Sequence, residues 1–425
     1  MTRRYSRDTE LVHGDFDPQQ HCRSRAVPIY QTAGFTYDSA DHAAGLFGLE
    51  QSGFIYSRLG NPTVDEAEKR LFQLEGGVAA VAFASGMAAM SGLILNVLKP
   101  GDEILAASCL YGGSIGLLRD TLSTLGITTR FFNPLDGNEL RQLVSNKTRM
   151  IIVENLANPR LLVPDHDALR AVAASHAIPY VVDNTLGTPY LTNPSEYGAD
   201  LVLHSCTKYL DGHGSILGGM VIDIGRFAWP KERYPLMHES APSGRSFVEE
   251  FGPLAFTARL RSKVLMNMGA CMSPFSAFLL IRGMESLHVR MARHCESALT
   301  LARFLAEHPL VSWVCYPGLP NHPAHELAKR YLRTHFGGMI GFGIKGGYEA
   351  GKRFIDQVKL LCHTTNIGDT KTLVIHPAST THRNLTKAER EAAGIGDDFI
   401  RLSVGLEDPA DLEYELDRAL RNSAT

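Results

Sequence analysis

The 425-residue sequence has no closely spaced cysteine pair, no long apolar run and little net charge. Its seven cysteines are scattered and odd in number, which argues against a zinc site or a disulfide framework. No apolar stretch approaches the ~20 residues of a membrane span, and the N-terminal residues lack the apolar segment of a signal peptide. A formal net charge of −3 favours neither a nucleic-acid nor a membrane-surface partner. We therefore expect a soluble, cytoplasmic protein without a metal site, whose thiols are reduced.

Strand-like and helical segments alternate through most of the chain. Short apolar runs at residues 79–83, 103–107 and 180–183 are separated by helical patterns such as 61–74 and 86–98. Nearly continuous apolar strands in βα alternation indicate a mostly parallel sheet covered by helices on both faces. The sequence therefore predicts an α/β fold.

The pattern changes at both ends of this region. Residues 1–60 are predicted to form an irregular N-terminal arm, and residues 61–258 a large domain around the parallel sheet. Residues 259–307 have the pattern of one or two long helices, and short strand-like runs follow near residues 313, 340, 372 and 399. Residues 259–425 are therefore predicted to form a smaller α+β domain.

A lysine directly after a buried strand is the most specific chemical feature. The apolar run 201–204 leads into Ser205-Cys206-Thr207-Lys208. A lysine amine at a buried strand end is costly unless it is paired or neutralised, and a covalent imine with an aldehyde cofactor removes that cost. The hydroxyl groups of Ser205 and Thr207 flank the lysine and suit phosphate oxygens. These residues point to pyridoxal phosphate bound at Lys208.

Three upstream features occur in the order that such a cofactor needs. Gly86 and Met87 begin a helix after a strand, and the free N–H groups and positive dipole end of a helix start can bind phosphate. Tyr111 stands beside two glycines, which leave room for a flat ring to stack on it. Asp183 ends an apolar strand and suits a protonated ring nitrogen. Each feature alone also fits an ordinary turn, cap or half-buried aromatic, but their joint order indicates the type I pyridoxal-phosphate fold.

At these positions nearly the whole chain resembles the Cys/Met-metabolism family of pyridoxal-phosphate enzymes. The resemblance is carried by Tyr56-Ser57-Arg58, Asn61-Pro62-Thr63, Ala84-Ser85-Gly86-Met87, Asn158-Pro159, Asp183-Asn184-Thr185, Ser205-Cys206-Thr207-Lys208 and Arg401-Leu402-Ser403-Val404-Gly405. It implies the type I transferase fold, pyridoxal 5'-phosphate as cofactor, and a homodimer or homotetramer that shares its active sites between subunits.

The resemblance also implies a role for each matched residue. Lys208 forms the Schiff base and moves protons, Asp183 pairs with the ring nitrogen, and Tyr111 stacks on the ring and assists proton transfer. The residues expected to bind the phosphate are Gly86, Met87, Ser205 and Thr207, together with Tyr56 and Arg58 from the other subunit.

Three further residues are expected around the amino-acid substrate. Asn158 is implied to lie near the ring hydroxyl and the substrate. Arg401 is implied to bind the substrate α-carboxylate, which suits the planar fork of a guanidinium. Thr372 stands where we expect the family's serine near the same carboxylate.

Within the family, residues 316–323, 336–339 and 368–382 look most like the O-acetylhomoserine sulfhydrylases. The implied reaction is γ-replacement on an O-acyl-L-homoserine by sulfide or a thiol. Two alternatives stay open: β- or γ-elimination on methionine, cystathionine or a related amino acid, and a catalytically silent, ligand-binding role. The run Asn155-Leu156-Ala157 and the pair Leu186-Gly187 depart from the family pattern. Leu186 and Gly187 are smaller than the phenylalanine and alanine that are usual in the family, which predicts a roomier pocket.

Overall fold

The computed structural model describes residues 5–384, 386, 387, 390 and 394–423. Its larger sheet is built from strands β1 (Ala79–Phe83), β2 (Glu103–Ala107), β3 (Thr128–Phe132), β4 (Thr148–Glu154), β5 (Tyr180–Asp183), β6 (Leu201–Ser205) and β7 (Gly219–Asp223). In the described residues the strand order is β1-β7-β6-β5-β4-β2-β3. Only β7 runs antiparallel to its two neighbours. The predicted α/β fold with a mostly parallel sheet is confirmed.

A second, smaller sheet follows in the chain. Its strands are β8 (Val311–Cys315), β9 (Met339–Ile344), β10 (Cys362–His363), β11 (Leu373–Ile375) and β12 (Phe399–Ser403). Their order among the described residues is β10-β11-β12-β9-β8, and every pair except β10–β11 is antiparallel. The helices Leu287–Glu307, Gly347–Gln357 and Pro409–Ser423 contribute apolar side chains to its core.

Helices cover both sheets. The described α-helices are Arg7–His13, Ala40–Phe47, Pro62–Glu75, Gly86–Val97, Gly112–Gly116, Leu122–Thr124, Gly137–Leu143, His166–Ser175, Thr188–Leu191, Phe247–Phe251, Ala255–Arg259, Met266–Met268, Pro274–Glu285, Leu287–Glu307, His325–Tyr331, Gly347–Gln357 and Pro409–Ser423. Short 3-10 turns lie at Pro18–His21, Pro194–Tyr197, Pro235–His238, Gly252–Leu254 and Pro377–Ser379, and π-helical turns at Leu117–Thr121 and Leu260–Leu265. None of the helices in the described part of the chain has the length and apolarity to cross a membrane.

The helix Pro62–Glu75 shows how sequence determines local structure. The Asn61 side chain accepts a hydrogen bond from the Thr63 N–H at 3.0 Å, and proline occupies the first helical position. Val64, Ala67, Leu71 and Leu74 are all buried on one face, as their spacing predicts.

The N-terminal arm is more ordered than predicted. It contains the helices Arg7–His13 and Ala40–Phe47, so the expectation of an irregular segment was wrong for these residues. Leu11 is fully buried, and the buried guanidinium of Arg70 donates to the carbonyl oxygens of Leu11 and His13 at 3.0 and 3.2 Å. A long-range contact of this kind orders a helix whose own sequence is too short to be stable.

The two hydrophobic cores meet along the helix Leu287–Glu307. Its first half, with Met291 and Cys295, belongs to the core of the large sheet, and its second half, with Leu301 and Leu305, to the core of the small sheet. The predicted domain boundary after residue 258 stays a prediction.

Candidate active site

A cavity of about 1070 Å³ opens where the parallel strands end. Glu154, Asp183 and Ser205, the last residues of β4, β5 and β6, line it side by side. Lys208 on the loop after β6 and Arg401 on β12 of the small sheet complete the same wall. Ligands of open α/β sheets bind at this edge, so the geometry marks the cavity as the candidate active site.

The amine of Lys208 projects into the cavity and is held there. Its Nζ donates a hydrogen bond to Oδ1 of Asn366 at 2.6 Å. Burial, and secondarily the positive charge of Arg401, lowers the pKa of Lys208 from 10.5 to about 8. A substantial part of the amine is therefore neutral, and thus nucleophilic, slightly above neutral pH.

Two carboxyl groups, the buried Glu154 and the partly buried Asp183, lie next to each other on neighbouring strands. Glu154 pairs with Asp183 in the parallel register of β4 and β5. Asp183 accepts hydrogen bonds from the Thr185 N–H at 2.9 Å and the Thr185 hydroxyl at 2.5 Å. Burial raises the pKa of Asp183, although the bonds from Thr185 oppose that shift. A cation placed against Asp183, such as a protonated ring nitrogen, would stabilise its ionised form.

Sequence reasoning did not assign Glu154 to the site. Its two carboxyl oxygens accept the backbone N–H groups of Tyr111 at 2.5 Å and Asn158 at 3.0 Å. Burial and the neighbouring Asp183 raise the pKa of Glu154. The sequence signal that could have revealed Glu154 is that β4 and the neighbouring strand β5 both end in a carboxylate residue.

The predicted phosphate end of the site forms at the helix Gly86–Val97. The Ser85 hydroxyl caps this helix by accepting the Ala88 N–H at 3.1 Å. A Cβ atom at Gly86 would lie 2.8 Å from Cβ of Ser205, so only glycine permits this close approach. Gly86, Met87, Ser205 and Thr207 all line the cavity. The hydroxyl of Thr207 is already engaged, because it accepts the Gly218 N–H at 3.0 Å.

Tyr111 lines the cavity and is half exposed. A Cβ atom at Gly113 would lie 2.5 Å from the Tyr111 ring. The glycine at this position therefore leaves space for the Tyr111 ring itself. That the neighbouring glycines also leave room for a flat ring stacked on Tyr111 stays a prediction. The ring presents an open face on which a flat cofactor can stack.

Arg401 and Asn158 meet on the side of the cavity nearest the small sheet. The Arg401 guanidinium donates to the carbonyl oxygen of Thr365 at 2.7 Å and to Oδ1 of Asn158 at 3.4 Å. Burial lowers the pKa of Arg401 to about 10, so the guanidinium stays charged at neutral pH. A partly buried cation whose hydrogen-bond partners among the described residues are neutral oxygens suits a substrate carboxylate.

Thr372 is the predicted residue that the structure does not bring to this cavity. It is fully buried; its hydroxyl donates to Glu407 at 2.7 Å and accepts the Gly405 N–H at 2.8 Å. Asn366, and not Thr372, contacts both cavity cations: its Oδ1 accepts from Lys208 at 2.6 Å and its backbone carbonyl oxygen accepts from Arg401 at 3.4 Å. Both residues belong to the same polar loop before β11, and the sequence does not reveal which of its side chains faces the cavity.

Tyr56 and Arg58 lie outside the cavity of their own chain. Both are exposed, and the Arg58 guanidinium lies 5.5 Å from the centroid of the Tyr56 ring. This placement leaves them accessible to another subunit.

The departures at Leu186 and Gly187 have different consequences. Leu186 lines the cavity, as predicted. Gly187 does not enlarge it: a Cβ atom there would lie 2.2 Å from Oδ1 of Asn184 and 2.7 Å from Nδ2 of Asn155. The space is filled by the hydrogen bond between these two amides, which measures 2.9 Å. The predicted gain of room at Gly187 was therefore wrong.

Comparison with known proteins gives one family over the whole chain. Residues 8–421 match the family model described as Cys/Met metabolism PLP-dependent enzyme. The O-acetyl-L-homoserine sulfhydrylase of Leptospira meyeri is 45% identical, over 99% of this chain and 98% of its own length. A sulfhydrylase of Fusarium oxysporum, FUB7, is 44% identical over 98% and 97%.

A crystal structure from Campylobacter jejuni, assigned as an O-acetylhomoserine (thiol)-lyase, has the same fold. It superposes with a TM-score of 0.94, is 36% identical in sequence and covers 98% of this chain and 100% of its own. It contains a pyridoxyl-lysine monophosphate.

The chain thus belongs to the pyridoxal-phosphate-dependent enzymes of cysteine and methionine metabolism, and pyridoxal phosphate is its cofactor. The residues present suit this group: a helix start with a glycine for the phosphate, an open aromatic face, a buried carboxylate and a lysine amine in one cavity.

Proposed function

We propose that this protein replaces the γ-acyloxy group of an O-acyl-L-homoserine, foremost O-acetyl-L-homoserine, with sulfide or a thiol. The products are homocysteine or an S-substituted homologue and the free carboxylic acid. The observation that carries the proposal is the convergence of Lys208, Asp183 and Arg401 on one cavity. The names of the relatives, sulfhydrylase and O-acetyl-L-homoserine sulfhydrylase, support this choice among the reactions of the family.

When bound, pyridoxal phosphate supplies a carbonyl that condenses with amines and a ring that withdraws electrons from the substrate α-carbon. Gly86, Met87, Ser205 and Thr207 would hold its phosphate, and Asp183 would keep its ring nitrogen protonated. Tyr111 would cover the face of the ring. Glu154 would keep Tyr111 and Asn158 in place through the two backbone bonds that it accepts.

The protein's own groups move the proton and orient the substrate. Nζ of Lys208 accepts the proton from the substrate α-carbon, which its pKa of about 8 permits near neutral pH. After passing that proton on, the amine removes a proton from the β-carbon, and the electron pair left there expels the acyloxy group from the γ-carbon as the free carboxylate. The Arg401 guanidinium binds the α-carboxylate and so orients the substrate with the C–H bonds of its reacting carbons towards Lys208. Asn366, which bonds Lys208 Nζ, keeps the amine pointed at the reacting carbons.

We further propose that Tyr56 and Arg58 complete the phosphate site of a partner subunit in a homodimer or homotetramer. Their exposure outside their own cavity supports this arrangement. A cytoplasmic location is also part of the proposal: the described chain holds all seven cysteines as free thiols, as a reducing compartment favours.

The test is to incubate purified holoenzyme with O-acetyl-L-homoserine, with and without sulfide, and to identify the products by mass spectrometry. We expect homocysteine and acetate only when sulfide is present, and no product from Lys208→Ala. Formation of 2-oxobutanoate and ammonia at the same rate with or without sulfide would establish elimination instead. A protein that binds no pyridoxal phosphate would be a silent member of the fold.

A further inference from the structure

The charged residues that line the cavity can be assigned one by one. In the part of the chain that the structure describes, the charged lining side chains are Arg119, Glu154, Arg160, Asp183, Lys208 and Arg401. Arg119 bonds both carboxyl oxygens of Asp120, at 2.8 and 3.0 Å. The two carboxyl groups, Lys208 and Arg401 have the partners described above. Arg160 is the remaining charged residue of this lining, and no partner has yet been named for its guanidinium.

Arg160 is held at the wall by contacts that do not use its charge. Its carbonyl oxygen accepts a hydrogen bond from Sγ of Cys315 at 3.2 Å. A Cβ atom at Gly394 would lie 2.7 Å from Cδ of Arg160, so the arginine stem packs closely against this glycine. Among the described residues, no carboxylate forms an ion pair with its guanidinium. Arg160 is exposed and lines the cavity, and within the described part of the chain its guanidinium has no counter-charge.

The position of Arg160 shows which ligand group it can meet. It follows Asn158 by two residues, and Asn158 contacts Arg401, the proposed α-carboxylate site. The proposed phosphate seat at Gly86 and Ser205 lies at the ends of other strands. The charge of Arg160 is also felt by Cys109 on the cavity wall, whose pKa burial raises to about 12 while Arg160 opposes the shift. Arg160 thus belongs to the amino-acid end of the cavity.

We propose that Arg160 forms a subsite for a second carboxylate on a substrate, beyond the α-carboxylate bound by Arg401. This inference rests on the proposed function. An unpaired guanidinium in a cleft binds a carboxylate through two parallel, charge-assisted hydrogen bonds, which are stronger than the hydrogen bonds it forms with a neutral group. Two sources could supply that carboxylate: a dicarboxylic acyl group on the homoserine oxygen, or a thiol that itself carries a carboxylate.

Paired substrates distinguish the two sources. With sulfide as nucleophile, kcat/KM is measured for O-succinyl- against O-acetyl-L-homoserine. With O-acetyl-L-homoserine as donor, it is measured for 3-mercaptopropionate against propanethiol. We expect Arg160→Gln to lower the ratio of charged to neutral substrate by about tenfold or more in one of the two series, which identifies the source. Arg160→Lys keeps the positive charge but lacks the planar guanidinium with its two parallel donors, so it should give an intermediate ratio.

Arg119→Gln is the matched control, because that cavity arginine is already paired with Asp120. It should change neither ratio by more than about twofold. The proposal is overturned if Arg160→Gln leaves both ratios unchanged, if the wild type rejects the charged member of both pairs, or if Arg119→Gln lowers a ratio equally.

A binding measurement separates failure of this subsite from failure of the proposed function. L-2-aminoadipate and L-norleucine are titrated into holoenzyme and followed by the visible absorbance of the cofactor. If the enzyme transfers no acylhomoserine at all, the proposed function fails, and this pair alone decides the subsite. A preference for aminoadipate that Arg160→Gln removes supports the subsite, and equal binding of both amino acids overturns it.

Discussion

At the scale of single residues, the environment of Lys208 determines its reactivity. Burial and the nearby Arg401 both favour the neutral amine, and the side-chain oxygen Oδ1 of Asn366 fixes its direction. The sequence could predict Lys208 and Asp183, because each directly follows or ends a buried apolar strand. It could not predict Asn366 or the contacts of Glu154, because these depend on which side chains of separate loops converge.

The first prediction concerns the pH dependence of cofactor capture. Only the neutral amine attacks the carbonyl, and the pKa of Lys208 is lowered from 10.5 to about 8. The rate at which apoenzyme binds pyridoxal phosphate, followed by absorbance, should therefore rise roughly tenfold per pH unit below 8 and level off above it. Arg401→Gln should move the midpoint to higher pH, whereas Arg119→Gln should leave it in place. A midpoint near 10.5 in the wild type would refute this account.

At the scale of secondary-structure elements, buried elements were the predictable ones. The bounds of β1, β2 and β5 agree with the sequence prediction, because these strands are continuous apolar runs in the core. The edge strand β3 (Thr128–Phe132) was missed, since its residues are mostly half-exposed and carry no apolar run. The one or two long helices predicted for residues 259–307 are divided at Gly269, whose φ of 78° ends the helical conformation, and again at Ser286 between the helices Pro274–Glu285 and Leu287–Glu307.

The second prediction concerns two loops that follow adjacent strands. Asn155 after β4 and Gly187 after β5 depart from the family pattern together, and the amides of Asn155 and Asn184 occupy the space that a side chain at 187 would need. Gly187→Ala should lower the free energy of unfolding by about 1–3 kcal/mol through overpacking.

The smaller residue in Asn155→Ser should relieve part of that clash, because it removes the Asn155 amide, whereas Asn184 stays bonded to Glu75 and to the Thr192 carbonyl oxygen. In a double-mutant cycle by chemical denaturation, the two substitutions together should cost about 1 kcal/mol less than the sum of the singles. Strictly additive costs would show that the two departures are independent.

At the scale of the whole molecule, the site joins parts that lie far apart in the chain. The large sheet provides Asp183 and Lys208, the small sheet provides Arg401, and the N-terminal arm carries Tyr56 and Arg58 outside the cavity. The sequence motifs predicted this assembly through family resemblance. They could not predict that the arm is anchored by Arg70, because that contact bridges 59 positions between Leu11 and Arg70.

The third prediction tests whether sites are shared between subunits. Arg58→Ala and Lys208→Ala should each be inactive or severely impaired, since in the proposed shared site one removes a phosphate contact and the other the reactive amine. Mixed oligomers should recover activity, because a dimer with one copy of each has one site with both defects and one with neither. Co-purification of two differently tagged variants verifies that heterodimers form. Heterodimers without recovered activity would show that each chain builds its own site.

The central claim is that Lys208 binds the cofactor in the cavity at the ends of β4, β5 and β6. Reduction of the holoenzyme with borohydride, followed by digestion and mass spectrometry, tests it most directly, because reduction makes the bond between lysine and cofactor permanent. The account predicts a phosphopyridoxyl group on the peptide that contains Lys208 and on no other peptide. A phosphopyridoxyl group on a different lysine, or none on Lys208 in fully loaded enzyme, would contradict it.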